Sequence, residues 1–193
     1  MRGSRLAKVS FITQVQRSLN KFVRKAGIAS LLVGSFLASS VQAGDLWCWG
    51  RNNYGQLGDG TTTDRYTPVQ VSGLSGAIQV AGGYYHTCAL KSDGTVWCWG
   101  NNGYGQLGDG TTSSKSTPVQ VSGLSGVIQV AGGVYHTCAV KSDGTVWCWG
   151  RNVEGQLGDG TTSSKSTPVQ VSGLSGVIQV AGGGWHTCAL KSD

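Results

Sequence analysis

Short apolar segments separated by turn residues recur along the chain from residue 44 to residue 193. In one stretch the pattern predicts four strands, each rich in β-branched, aromatic or cysteine residues: Thr67–Val71, Ile78–Ala81, His86–Lys91 and Thr95–Trp99. Gly, Ser, Asn and Asp bound these segments, as expected of turns. No stretch shows sustained helical periodicity, so the pattern predicts an all-β fold.

The pattern repeats every 50 residues, giving three near-identical repeats at 44–93, 94–143 and 144–193. The segment Trp97-Cys98-Trp99-Gly100, for example, recurs at 47–50 and at 147–150. Four short strands at a period near 50 are typical of a four-stranded blade of a β-propeller. The polar segment Gly100–Ser116 is then predicted to connect one blade to the next.

The segment Val96–Trp99 is non-polar on both faces, with Val96 and Cys98 on one side and Trp97 and Trp99 on the other. A strand with one face in water would alternate with polar residues. Neighbouring blades of a propeller would cover both faces. Stacking in a solenoid would bury both faces as well.

The recurring pattern Ala-Gly-Gly-x-x-His-Thr-x-Ala-Leu, followed by Asp-Gly-x-Val-x-x-Trp-Gly-x-Asn-x-x-Gly-Gln-Leu-Gly, resembles the regulator of chromosome condensation repeat. The resemblance covers residues 44–193 and implies a β-propeller, typically of about seven blades. It implies architectural roles for nine residues and their copies: Gly82, Gly83, His86, Trp99, Gly100, Asn102, Gly105, Leu107 and Gly108. With three repeats, the chain is expected to be a partial ring, as a fragment of a longer protein or as a unit that self-associates to complete a ring.

Residues 1–43 have the three parts of a secretory signal peptide: a basic region up to Lys25, an apolar stretch interrupted by serines, and Val41-Gln42-Ala43 as a cleavage site. We expect the mature chain to begin at Gly44, and the membrane to be involved only during export. An uncleaved N-terminal anchor is the alternative. The expected location is extracytoplasmic: secreted, periplasmic or at the cell surface.

The formal net charge of +6 belongs to this leader, which carries seven Lys and Arg and no Asp or Glu. Residues 44–193 carry the remaining eight basic residues against nine acidic ones, a net charge of −1. A basic surface that would attract nucleic acid is therefore not predicted.

Export places the six cysteines in an oxidising compartment, where pairing is expected. A three-residue turn, with Gly94 at positive φ, would pair Lys91 with Thr95 and place Cys88 opposite Cys98. A two-residue turn would pair Cys88 with Trp99 instead and forbid the bond. The register predicts the disulfides Cys88–Cys98 and Cys138–Cys148, with Cys48 and Cys188 as a third pair within one chain or between chains. Buried reduced thiols are the alternative.

Three kinds of chemistry are considered and not favoured. His86, Asp93 and a nearby serine could make a hydrolytic triad, but these residues recur in every repeat, whereas one active site needs one copy of each. His86 is expected to bond to backbone in a turn. The loop Gly55–Gly60 lacks the Lys-Ser/Thr of a phosphate loop, and Asp59 lacks the acidic neighbours of a calcium site. No catalytic residue, metal or cofactor is predicted.

The repeats differ mainly at turns, where substitution reflects either tolerance or binding. Aromatic residues on exposed loops are common at binding hot spots. The predicted partner-binding residues are Tyr54, Tyr84, Tyr85, Tyr104, Tyr135, Glu154 and Trp185. The resemblance extends to the secreted bacterial type of the family, in which loop aromatics on a propeller face bind another protein. The predicted function is an exported, non-enzymatic protein-binding module. Guanine-nucleotide exchange, implied by the family's eponymous member, and a purely structural surface repeat are the alternatives.

Overall fold

The computed structural model describes residues 43–192, which form twelve β-strands. The strands are β1 Trp47–Gly50, β2 Arg65–Gln70, β3 Ala77–Gly82, β4 His86–Lys91, β5 Val96–Gly100, β6 Lys115–Gln120, β7 Val127–Gly132, β8 His136–Lys141, β9 Val146–Gly150, β10 Lys165–Gln170, β11 Val177–Gly182 and β12 Thr187–Lys191. All four predicted strands exist, with ends that differ by no more than two residues. The predicted signal peptide falls, except for its last residue, outside the described residues.

The strands form two complete and two half sheets, all antiparallel. The complete sheets are β3-β4-β5-β6 and β7-β8-β9-β10, and the half sheets are β1-β2 and β11-β12. The fold is a β-propeller in which two whole blades stand between two half blades. Among residues 43–192 no helix is long and apolar enough to cross a membrane.

The long polar segment lies inside a blade, which corrects the predicted connection between blades. It joins β5 to β6, and these two strands pair directly, with Cys98 opposite Val119. The link between blades is the short turn at residues 121–126. The blades therefore span 77–120 and 127–170, out of phase with the sequence periods.

The β4–β5 hairpin has the predicted register. Cys88 lies opposite Cys98, and the Lys91 amide donates to the Thr95 carbonyl at 2.9 Å. Gly94 closes the turn at a φ of 78°, a conformation that a side chain would disfavour. The three-residue turn with its positive-φ glycine is therefore confirmed.

The two faces of β5 pack into different parts of the core, as the non-polar pattern predicts. Val96 and Cys98 belong to a cluster that includes Val130 and Trp149 of the next blade. Trp99 packs on the other side, against Val71 and its neighbours beside the first half blade. Burial of both faces between neighbouring blades distinguishes this fold from a sheet that has one face exposed to solvent.

Candidate protein-binding face

The turn before β4 and the connection after β5 meet at one end of each blade. This follows from the hairpin register, in which His86 lies opposite Gly100. The Asn101 amide donates to the Tyr85 carbonyl at 2.8 Å, and the Arg151 amide donates to the Tyr135 carbonyl at the same distance. The variable positions of both segments therefore share one face of the propeller.

Five of the seven predicted binding residues form one continuous aromatic cluster on this face, which we call the tyrosine face: Tyr54, Tyr84, Tyr85, Tyr104 and Tyr135. Tyr85 lies at its centre, with its ring 4.9 Å from that of Tyr54 and 4.3 Å from that of Tyr84. The ring of Tyr135 lies 6.1 Å from Tyr85 and 5.3 Å from Tyr104, so the cluster crosses from one blade to the next. Such offset and edge-to-face arrangements are favourable for aromatic pairs.

The outer rings of the cluster face solvent, whereas its central rings are half-buried. Tyr84 is 62% exposed, and Tyr54 and Tyr104 are about two fifths exposed. Tyr85 and Tyr135 lie beneath them with intermediate exposure. Burial, followed by the neighbouring Tyr84, raises the pKa of Tyr85, so its phenol remains a hydrogen-bond donor at neutral pH.

Two arginines complete the tyrosine face and were not among the predicted binding residues. The guanidinium of Arg51 lies 5.7 Å from the centre of the Tyr85 ring, and that of Arg151 lies 5.7 Å from the Tyr104 ring. Both distances suit cation–π contacts. The repeats differ at this position, where Asn101 takes the place of arginine. That difference could have marked the two arginines as candidate binding residues.

Glu154 and Trp185 lie apart from the aromatic contacts of the cluster. Glu154 pairs with Arg151, whose hydrogen bond lowers the pKa of the Glu154 carboxyl. Trp185 is 58% exposed and, with Glu154, lines a separate cavity in the third repeat. The structure thus brings five predicted residues together, joins Glu154 to them through Arg151, and places Trp185 at the separate cavity.

A buried asparagine holds each long connection in shape and so supports the tyrosine face. The Asn102 side-chain carbonyl accepts from the Leu107 amide at 2.9 Å. Its Nδ2 donates to Asp109 and to the carbonyls of Thr111 and Ser113 at 3.1–3.2 Å. Asn52 and Asn152 make the same contacts in the other repeats. A loop with this many internal bonds presents its tyrosine in a defined position.

The loop Gly55–Gly60 is an ordinary turn held by Asp59. Asp59 accepts from the amide and hydroxyl of Thr61 and pairs with Arg65 at 2.7 Å. Although burial opposes the shift, the Thr61 hydrogen bonds and Arg65 lower the pKa of Asp59 to about 2. Its oxygens are thus engaged by protein donors, and among residues 43–192 no group of three acidic, His or Cys side chains is placed to hold a metal ion.

His86 is buried and bonds across blades, which corrects the predicted backbone bond in a turn. Its Nε2 lies 2.9 Å from the Thr137 hydroxyl of the next blade. Asp93 lies in the turn at the far end of β4, so the two do not meet as members of a triad.

Disulfides join Cys88 to Cys98 and Cys138 to Cys148 within the two complete blades. Cys48 and Cys188 are unpaired in the described part of the chain, because each belongs to a different half blade. The third pair is therefore not formed within one chain, and only its version between chains remains a prediction.

Comparison with known proteins identifies the family. A family model described as RCC1-like domain matches residues 5–193. The chain belongs to the RCC1-like domain family. Its similarity to an RCC2 homolog of Danio rerio is 46% identity over 54 residues, covering 27% of this chain and 11% of that protein. Its similarity to the ultraviolet-B receptor UVR8 of Arabidopsis thaliana is 43% over 54 residues, covering 27% of this chain and 12% of the receptor. This RCC1-like chain thus matches about a tenth of the length of these curated relatives.

Solved structures resemble this RCC1-like chain over most of its length. Human WBSCR16 superimposes with a TM-score of 0.69 at 28% identity, covering 78% of this chain and 40% of that one. Yeast RCC1 (Prp20), solved bound to Kap60, gives a TM-score of 0.67 at 22% identity, covering 77% of this chain and 38% of that one. The chain therefore spans about two fifths of these structural neighbours. The likeness supports the propeller fold and the partial ring.

Proposed function

We propose that this chain is an exported, non-enzymatic propeller module that binds another protein through the tyrosine face. The observation that carries the proposal is the contiguous cluster of five tyrosines with Arg51 and Arg151 over two of their rings. Tyrosine and arginine are the residue types enriched at binding hot spots. The tyrosine rings provide large contact areas and lose little conformational freedom on binding.

The cluster joins residues in which the repeats differ, on a scaffold in which they are alike. Tyr84 has Val134 and Gly184 at its equivalent positions, and Tyr54 and Tyr104 have Glu154. The buried asparagine that holds each long connection is the same in all three repeats, as is the histidine at positions 86, 136 and 186. A fixed scaffold with variable exposed aromatics supports recognition of a partner more than it supports a purely structural repeat.

The class of partner follows from charge and from the predicted export. Residues 44–193 have a net charge of −1, which disfavours nucleic acid. The yeast RCC1 structure is a complex with Kap60, so a protein that contains this fold can bind another protein. We therefore propose an extracytoplasmic protein partner, and export separates this proposal from nucleotide exchange on an intracellular GTPase.

The test compares two double variants of the exported chain as bait for proteins of the culture supernatant or periplasm. Tyr84→Ala with Tyr104→Ala removes exposed rings of the tyrosine face. Ile128→Ala with Ile178→Ala removes exposed side chains from β7 and β11, near the strand ends that lie opposite Lys141 and Lys191, at the other end of the blades. A specific partner should be captured by the unmodified chain and by the control, and its affinity should fall about 10- to 100-fold in the face variant. Equal capture by both variants would contradict the proposed face, and recovery of a GTPase with accelerated nucleotide release would favour exchange activity.

A further inference from the structure

Two tryptophans of the chain each fill a slot formed by the preceding repeat. Trp99 is fully buried, and its Nε1 donates to the Gln56 carbonyl at 2.9 Å. Gly58 forms the floor of this slot, since a Cβ there would lie 2.7 Å from the Trp99 Nε1. Trp149 fills the second slot with the same bond to Gln106 and the same approach to a glycine.

The third repeat has the same slot, open to solvent as a cavity of about 240 Å³. It is lined by the equivalents of the residues that surround Trp149, among them Gln156, Leu157, Gly158, Val171, Leu174 and Ala189. Within residues 43–192 the Gln156 carbonyl accepts only the Thr187 hydroxyl, at 2.8 Å, whereas its two equivalents also accept an indole N–H. For a Cβ at Gly158 the three nearest atoms all belong to Val171, and no indole is among them.

Trp49 is the side chain that matches this slot. It occupies the sequence position of Trp99 and Trp149, yet it is 63% exposed whereas they are fully buried. Its strand, β1, pairs with β2 on one edge and has no partner on the other among the residues that the structure describes. The indole and the strand edge are therefore both available.

The matching strand edge belongs to β12, whose one partner in the described part of the chain is β11. In the complete blades Cys88 lies opposite Cys98 and Thr87 opposite Trp99. By the period of 50 residues, β12 against β1 would place Cys188 opposite Cys48 and Thr187 opposite Trp49. The same register would carry Trp49 into the slot above Gly158.

A second contact between neighbouring blades lacks one of its two partners at each end of the described strands. The side-chain Nε2 of Gln129 donates to the Val180 carbonyl at 2.8 Å, and its Oε1 accepts from the Val180 backbone amide at 2.7 Å, which links neighbouring blades. Gln179, the next equivalent, is exposed. Val80 is 49% exposed, whereas its equivalents Val130 and Val180 are nearly fully buried. Gln179 of one copy would thus form the same hydrogen bonds with the backbone of Val80 in another copy.

We propose that β1-β2 of one copy completes β11-β12 of a second copy as a composite blade, with Trp49 in the third slot and a Cys48–Cys188 disulfide between the chains. The contact is head-to-tail, so it repeats until a ring closes. The twelve strands described in residues 43–192 amount to three blades, so two copies of this segment make a ring of six, within the range of about four to eight that propellers adopt. This proposal does not depend on the tyrosine face.

A small-molecule disulfide is the oxidant that forms each Cys48–Cys188 bond. The Cys48 and Cys188 thiols lose two protons and two electrons in total, and oxidised glutathione takes them up to give two molecules of reduced glutathione. No other reactant is needed.

The first test measures the molar mass of the full chain by light scattering over a range of concentrations under reducing conditions. The chain should form a dimer, and Trp49→Ala should weaken dimerisation about tenfold or more. Ile128→Ala, an exposed apolar residue of a complete blade, is the matched control and should dimerise as the unmodified chain does. Because Trp49 is exposed within one chain, its loss should leave the circular dichroism unchanged. A monomer at all concentrations, or equal dimerisation of the Trp49→Ala and Ile128→Ala variants, would overturn the proposal.

The second test uses the asymmetry of the contact with Cys48→Ser and Cys188→Ser chains in a glutathione buffer. Neither variant alone should form a covalent dimer, since each lacks one partner of the pair. Their mixture should form one, linked by Cys188 of the first chain and Cys48 of the second, as peptide mapping would show. Covalent dimers of either variant alone, or none from the mixture, would overturn the head-to-tail register.

Discussion

The Nε2 of His86 lies 2.9 Å from Oγ1 of Thr137, so a histidine of one blade bonds to a threonine of the next. The Thr137 hydroxyl donates its only proton to the Gln106 carbonyl at 2.9 Å. His86 must therefore donate from Nε2 and carry no proton on Nδ1. The same carbonyl accepts the indole N–H of Trp149, so this chain of bonds ties two blades and one long connection together.

Stability should fall with acidification because the buried histidines are neutral in the folded state. Burial, with a smaller contribution from His136, lowers the pKa of His86 to about 3, and burial lowers that of His136 to about 4. Since the unfolded chain takes up these protons near pH 6.5, stability is present above that pH and is lost as pH falls. Between pH 6.5 and 4.5 the free energy of unfolding should decrease by up to about 1.4 kcal/mol per pH unit for each histidine.

The double variant His86→Asn with His136→Asn should be less stable at pH 7 but should show a flatter pH dependence in urea titrations. The matched control is His186→Asn, which changes an exposed histidine. The double variant and the control both also carry Trp49→Ala, which keeps them monomeric. A pH dependence that is equally steep in both variants would contradict the assignment.

Asn102→Ala should destabilise the chain by about 1–3 kcal/mol, because it leaves the buried Leu107 amide and the carbonyls of Thr111 and Ser113 without their partner. Asn53→Ala, which removes an exposed asparagine, should change stability by less than about 0.5 kcal/mol. Urea denaturation followed by circular dichroism measures both. Similar losses in the two variants would show that the connection is not held by its buried asparagine.

Trp149→Phe should cost about 1–3 kcal/mol, because the Gln106 carbonyl loses the indole N–H and a cavity opens in the slot. Trp185→Phe changes the same residue type at an exposed position and should be close to neutral. The comparison uses the same denaturation measurement. If Trp185→Phe lowers the free energy of unfolding more than Trp149→Phe does, the slot does not hold the blades together as described.

Removal of a hairpin disulfide by Cys138→Ala with Cys148→Ala should lower stability by about 2.5–3 kcal/mol on the loop-entropy model, since the bond closes a loop with a sequence separation of 10. Under reducing conditions the unmodified chain should lose its advantage over the variant. Peptide mapping without reduction should recover Cys88–Cys98 and Cys138–Cys148. Pairs such as Cys98–Cys138, or free thiols throughout, would contradict the hairpin register.

Exported protein should begin at Gly44, because Val41-Gln42-Ala43 matches the small-residue pattern of a signal peptidase site. N-terminal sequencing of secreted or periplasmic material measures this directly. Intact Met1 recovered from the membrane fraction would instead support the uncleaved anchor.

The period of 50 residues, the turn chemistry and the two non-polar faces of β5 predicted a four-stranded propeller blade from the sequence. These are local properties, since strand length, turn type and face alternation depend on neighbouring residues. For the same reason the register of Cys88 opposite Cys98 followed from one glycine in one turn. The exposed tyrosines were also predicted, because they are the positions at which the repeats differ.

Other features depended on which strands pair across space, and only the tertiary structure decided them. A repeat has the same period wherever a blade begins, so its sequence cannot show that the long connection lies within a blade. The bond from His86 to Thr137 and the tilted ring contact between Tyr85 and Tyr135 join residues of different blades, whose separation is set by packing. Packing between repeats likewise buries Trp99 and leaves Trp49 exposed, although the two stand in the same local sequence.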